Sequence, residues 1–288
     1  SEHRVAGAGD DRQARHLAKD RQRPERARIV RSCAELALLL AVIVLAVLVF
    51  LLPALQLPAG YHDFADQRAL LGVPHALNLL SNLAFLLLGV WGWRRLQRLP
   101  PDAIGLAQRE LCNLFFGGLM LAAVCSTIYH ATPGDAGLGI DRLGMCLALA
   151  SLLGLAAVDR VSVRAGLALA LLVAIAAPAA VLVAVASGNM MPWTVLQAGG
   201  LLILLGLAAF RPRPQALGIS LLGVLGLYSL AKALEIADAS VLAWTGGLVS
   251  GHTLKHLAAA FAAWPVVHAL PRALGPSRAP EAGLVSRG

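Results

Sequence analysis

Hydrophobic residues in this chain fall in long runs, not in the alternating patterns of a half-buried strand or a surface helix. Runs near 34–53, 75–93, 110–130, 139–157, 163–186, 193–210, 215–235 and 246–268 each reach about the 20 residues that a helix needs to cross a hydrocarbon core. Backbone polar groups in lipid must be satisfied within the segment, so the pattern predicts an all-α polytopic membrane protein with eight transmembrane helices. The small residues Ala176, Ala177, Ala179, Ala180, Gly199 and Gly200 suit close helix packing in lipid. About 32 mostly hydrophilic residues precede the first run and no small-residue cleavage pattern follows it. That run therefore reads as a signal anchor preceding a seven-helix core, not as a removable leader. The organisation expected is a basic, disordered tail over 1–32, an extra N-terminal transmembrane helix over 33–57, the core over 58–271 and a second tail over 272–288.

Composition agrees: 58% of the 288 residues are hydrophobic and 14% charged, and the mean hydropathy is +0.72, far from soluble globular usage. The charges are unevenly placed. Nine Lys and Arg residues precede the first run, and the bias returns in alternate connections at Arg94, Arg95, Arg98 and Arg109, at Arg160 and Arg164, and at Arg211 and Arg213. The other connections carry Asp63, Asp66, Asp135 and Asp238, with Arg68 as the main cation. By the positive-inside rule both termini are expected in the cytoplasm. Topology thus accounts for the net charge of +8 without nucleic acid as a partner, and nothing in the sequence calls for an obligatory protein partner. Cys33, Cys112, Cys125 and Cys146 show neither metal-type spacing nor a disulfide framework, and read as small packing residues.

Against this background a few polar positions stand out. Ser126-x3-His130 ends one run, Asp141 opens the next, and His252-x3-His256 lies in the last. Ionisable groups within membrane segments are costly and default to a functional reading. His252 and His256 are one helical turn apart on one face, and His130 from another helix is placed to add a third nitrogen. Three protein ligands with an open position are the arrangement of a catalytic zinc. The alternation of connections puts His130, Asp141 and the His pair at one membrane face, opposite the arginines.

Taken together, these residues resemble the alkaline ceramidase family, part of a wider superfamily that includes the adiponectin and progestin receptor-like proteins. Pro74-His75-Ala76-Leu77-Asn78-Leu79-Leu80-Ser81-Asn82 is similar to that family's first core helix with its Asn-x-x-Ser-Asn element. The resemblance covers about 61–270 and is to a bacterial-type member, which implies a bacterial inner membrane with the site toward the outer face. It implies zinc held by His130, His252 and His256, Asp141 beside the reacting water as proton acceptor and donor, and Ser126 as donor to the tetrahedral oxyanion. The expected activity is hydrolysis of the amide of ceramide or a ceramide-like N-acyl membrane lipid, releasing a fatty acid and a long-chain base. The alternatives are a zinc-containing receptor of the same superfamily without turnover, and a haem-binding electron carrier, which would leave Asp141 and one histidine of the pair unused.

The chain departs from the family at one point. Eukaryotic members carry an acidic cluster and a glutamate resembling a calcium site, whereas here Asp63 and Asp66 supply only two carboxylates and His75 stands in the glutamate's place. Calcium takes six to eight oxygens, so a loop held by ion pairs such as Asp66 with Arg68 is preferred to calcium at Asp63 and Asp66. Asn78 and Asn82, four apart, are expected to bond neighbouring helices, with lining of the substrate cavity as the functional reading. Lys232 and Glu235 are expected to neutralise each other, Lys255 to snorkel, and the five tryptophans to form interfacial belts.

Overall fold

The computed structural model describes the backbone over residues 7–271 and side chains over 28–271; the expected C-terminal tail, 272–288, lies outside the described residues. These residues form eleven helices and no strand. Helix α1 (Gly7–Leu51) is followed by α2 (Ala76–Ser81), α3 (Leu83–Gln97), α4 (Leu106–Ala131) and α5 (Asp135–Arg160). Then come α6 (Val163–Ser187), α7 (Met191–Ala208), α8 (Leu221–Ile236), α9 (Asp238–Trp244), α10 (Gly251–Phe261) and α11 (Trp264–Ala269). Six segments are long and apolar enough to cross a membrane: Arg28–Leu51, Ala76–Gln97, Leu106–Ala131, Asp135–Arg160, Val163–Ser187 and Met191–Ala208. The protein is thus a helical bundle of the kind an integral membrane protein requires.

Three segments differ from the sequence pattern. The basic stretch expected to be disordered up to residue 32 is helical from Gly7, because its Ala, Arg, Gln, Glu and Lys residues are strong helix formers that extend the apolar helix backwards. The run at 215–235 yields a helix of only 16 residues, since the chain enters it through an irregular segment that ends at the N-cap Ser220. The last run is divided. Gly246 and Gly247, both at positive φ, turn the chain between α9 and α10, and Pro265 at the start of α11 ends the bonding of α10.

The bundle has two chemically different ends. At one, the arginines bond backbone carbonyls: Arg95 to Leu270 at 2.9 Å, Arg160 to Ile219 at 2.7 Å and Arg213 to Val158 at 2.9 Å. At the other lie the α4–α5, α6–α7 and α9–α10 turns, and residues 52–75, which link α1 to α2, run across them. Hydrogen bonds from Leu55 to Asn189 and from Met190 to Leu55 hold that segment on the α6–α7 turn.

Helices α4 and α5 approach closely near this second end, where a Cβ on Gly144 would lie 2.5 Å from the Cβ of Cys125. Only glycine permits that spacing, and it brings the level of Ser126 on α4 against that of Asp141 on α5. One aromatic expectation is altered. Trp193 is buried beneath the guanidinium of Arg142 at 5.6 Å, a cation–π contact and not a belt position. Trp91 and Trp264 stack on each other at 5.1 Å.

Candidate metal centre

His130 sits on the last turn of α4, and His252 and His256 on the first two turns of α10. All three are buried, and their ligating nitrogens lie within 4.8 Å of one another. Nε2 of His130 is 3.2 Å from Nε2 of His256 and 3.3 Å from Nε2 of His252. A tetrahedral zinc with Zn–N bonds of about 2.0–2.1 Å has N–N edges of about 3.3 Å, so the two spacings that involve His130 match those that a metal ion imposes.

The surroundings decide which nitrogen faces the centre. The Nδ1–H of His256 donates to Ser81 Oγ at 2.7 Å and toward the Asn78 carbonyl at 3.2 Å. The Ser81 hydroxyl donates its own proton to that carbonyl at 2.8 Å, so it accepts from the imidazole. Nδ1 therefore carries the proton of the neutral ring, and Nε2 presents a lone pair to the centre. This is the outer bonding that fixes the tautomer of a metal-ligating histidine. Asn78 also accepts from Thr253 Oγ1 at 2.7 Å, tying α2 to α10. Nδ1 of His130 is buried with no hydrogen-bond partner among the described residues. Its ring is held by packing, with Phe64 at 4.8 Å and Tyr129 at 4.9 Å.

Asp141 is not one of the clustered ligands. Its helix faces α4 at the level of Ser126, a serine with no hydrogen bond to the carbonyl one turn back, whereas its neighbour Thr127 bonds Ala123 at 2.7 Å. Asn78 and Asn82 are both buried; Asn78 serves α10 and the His256 tautomer, while the Asn82 amide lies 3.3 Å from the Asn78 carbonyl.

Several residues that shape the site are not evident from the sequence. Phe64 lies across the centre, 4.8 Å from the ring of His130 and 4.5 Å from that of His252. Asp238 joins cover to centre: one carboxylate oxygen accepts from the Ala65 N–H at 2.9 Å and the other from the His252 N–H at 2.7 Å. The latter bond places an anion at the N-terminus of α10, where the helix dipole favours it. The α8–α9 junction reaches this position because Gly251 has no Cβ, which would fall 2.2 Å from the Leu234 carbonyl oxygen. His62 donates to Asp135 at 3.0 Å and accepts from the Tyr129 hydroxyl at 2.9 Å, fastening the segment to the α4–α5 turn. Ser81 was within reach of sequence reasoning as part of the Asn-x-x-Ser-Asn element. Phe64, Asp238 and His62 carry no local pattern.

The residues considered for calcium behave differently. Arg68 makes a bidentate contact with Asp66 at 2.7 Å for each oxygen and reaches the Leu248 carbonyl at 3.0 Å. The guanidinium and its hydrogen bonds hold the Asp66 carboxyl below the usual carboxylate range against the effect of burial. Asp63 is not drawn into this contact. Lys255 does not snorkel: its ammonium bonds Glu235 at 2.5 Å, and Lys232 bonds the other oxygen of the same carboxylate at 2.5 Å. No family model, curated protein or solved structure matches this chain.

Proposed function

We propose that the protein is an intramembrane zinc-dependent amide hydrolase acting on ceramide or a ceramide-like N-acyl lipid. The observation that carries the reading is the convergence of three buried imidazole nitrogens, with Ser126 one turn before His130 on α4 and Asp141 on the facing helix α5. Structural zinc is closed by four protein ligands, whereas three leave a position for chemistry. In this reading α8 and the α10–α11 pair complete a seven-helix core behind α1, and the arginine-rich end faces the cytoplasm.

Bound by His130, His252 and His256, zinc supplies Lewis acidity toward a carbonyl oxygen and toward water near neutral pH. The carboxylate of Asp141 accepts the proton of the attacking water and returns it to the departing amine. The Ser126 hydroxyl first steadies that carboxylate. Once Asp141 is protonated, the same O–H is released and turns to the oxyanion of the tetrahedral intermediate. The Ser81 hydroxyl and Asn78 carbonyl keep His256 in the tautomer that faces the centre. A substrate with two chains reaches a site of this kind from the bilayer, without passing through water.

The test is incubation of the purified protein with labelled N-acyl lipids, with and without a zinc chelator. Release of fatty acid that the chelator abolishes and added zinc restores is the expected result. Zinc retention with no turnover across a broad lipid panel would favour a zinc-containing receptor. Orientation is read separately: Ala136→Cys, in the first turn of α5, should react with a membrane-impermeant thiol reagent from outside the cell. Labelling only from the cytoplasm would put the site on the other leaflet.

A further inference from the structure

Six arginines converge at the end of the bundle opposite the imidazoles. Arg28, Arg31, Arg164 and Arg213 line a cleft of about 450 Å³ between α1 and the α5–α6 turn. Arg31 and Arg213 also line its neighbour of about 600 Å³, where Arg160 and Arg211 join them. Against six cations the two linings hold one carboxylate, that of Glu35, which already accepts from Arg164 and from Ser162. The positive-inside rule accounts for arginines at this end, but not for their gathering around shared clefts.

Arg160 supplies an independent observation. Its side chain is only 7% exposed, and one terminal nitrogen is used on the Ile219 carbonyl at 2.7 Å. Its Nε and other terminal nitrogen are buried without a hydrogen-bond partner among the described residues. Asp159, at 3.7 Å, does not satisfy them, because its two oxygens accept from the N–H groups of Leu217 and Ile219 at 2.8 Å each. Buried donors without partners carry a cost that a bound acceptor removes.

The ligand chemistry follows. Guanidinium forks match phosphate oxygens in a bidentate manner, and basic pockets between membrane helices suit lipid head groups. A small free anion would make no use of the apolar walls formed by Val30, Ala34, Val161 and Phe210. The outward face of α1 above the clefts exposes Leu36, Leu39, Leu40 and Ile43, a path for acyl chains. We propose that the paired clefts, joined at Arg31 and Arg213, bind an anionic phospholipid, with a two-phosphate head group of the cardiolipin type as the best match.

The test uses the full-length protein in nanodiscs of phosphatidylcholine, doped with phosphatidylglycerol or cardiolipin at equal total phosphate, with retained lipid measured by native mass spectrometry. Retention should rank cardiolipin first, phosphatidylglycerol second and phosphatidylcholine far behind. Arg31→Gln combined with Arg211→Gln should weaken cardiolipin retention about twenty-fivefold, from roughly fivefold per arginine. Metal content at the distant imidazoles and the melting temperature in phosphatidylcholine report that this variant is folded. Arg94→Gln with Arg98→Gln removes equal charge at the same end but outside the clefts, and should change retention far less. Equal retention of all three lipids, or equal losses in the two double variants, would overturn the proposal. Displacement of cardiolipin by inorganic phosphate at matched concentration would overturn the assignment to a lipid.

Discussion

His256→Ala is expected to leave the protein, once dialysed against a chelator, without its metal, where the unaltered chain keeps about one ion. Alanine is the best helix former, so α10 should persist and the loss reports on the centre itself. The imidazole is buried, and both its nitrogens are committed: Nδ1 to Ser81 and the Asn78 carbonyl, Nε2 to the cluster. Removing it leaves two imidazoles, a poor site for a tetrahedral ion, and strands the Ser81–Asn78 acceptors. Ser81→Ala provides the graded comparison. It spares all three ligands and removes only an acceptor from Nδ1–H, a change that costs about 10- to 100-fold in metal affinity at comparable sites. Metal analysis of the purified variants decides the matter. Full occupancy in the triple alanine variant of His130, His252 and His256 would place the metal elsewhere.

The second large effect is expected at Asp141. Asp141→Asn preserves size and alters none of the three clustered ligands, so the variant should fold and hold its metal, yet it cannot take a proton from water. Hydrolysis of N-acyl lipid should fall to background. Ser126→Ala should instead retain slow turnover, down by about 10²–10³ as for loss of one oxyanion donor. Because both side chains are assigned to one chemical step, their effects should be far from additive when combined. Single-turnover assays on metal-loaded protein make the comparison. If Asp141→Asn cleaves at the original rate with its metal retained, another group carries the proton.

What the sequence revealed and what it concealed divide along physical lines. The convergence of His252 and His256 with His130 was legible because helical periodicity fixes which face a residue occupies and the alternating direction of successive helices fixes which end. The long apolar helices were legible for the same reason. The division of the last run at Gly246, Gly247 and Pro265 was obscured by composition, since hydropathy averages over turns that are themselves apolar. The residues that close the site were hidden more deeply. Phe64, His62 and Asp238 act through contacts across wide sequence separations, Ala65 with Asp238 being 173 residues apart. Such contacts depend on the path of a segment with no periodicity.

The cover over the imidazoles bears on how quickly a metal ion can come and go. Residues 52–75 are fastened at the α6–α7 turn through Leu55, at the α4–α5 turn through His62, at the α8–α9 junction through Ala65 and beside Leu248 through Arg68. Phe64 is held across two of the three rings by these bonds. An ion held by the three imidazoles is therefore expected to leave only after this strap detaches. Since Asp238 holds both the strap and the first turn of α10, each detachment also loosens the helix that bears two ligands. Stripping by chelator should follow first-order kinetics whose rate levels off as chelator concentration rises, and Asp238→Ala should raise that plateau even where equilibrium affinity changes little.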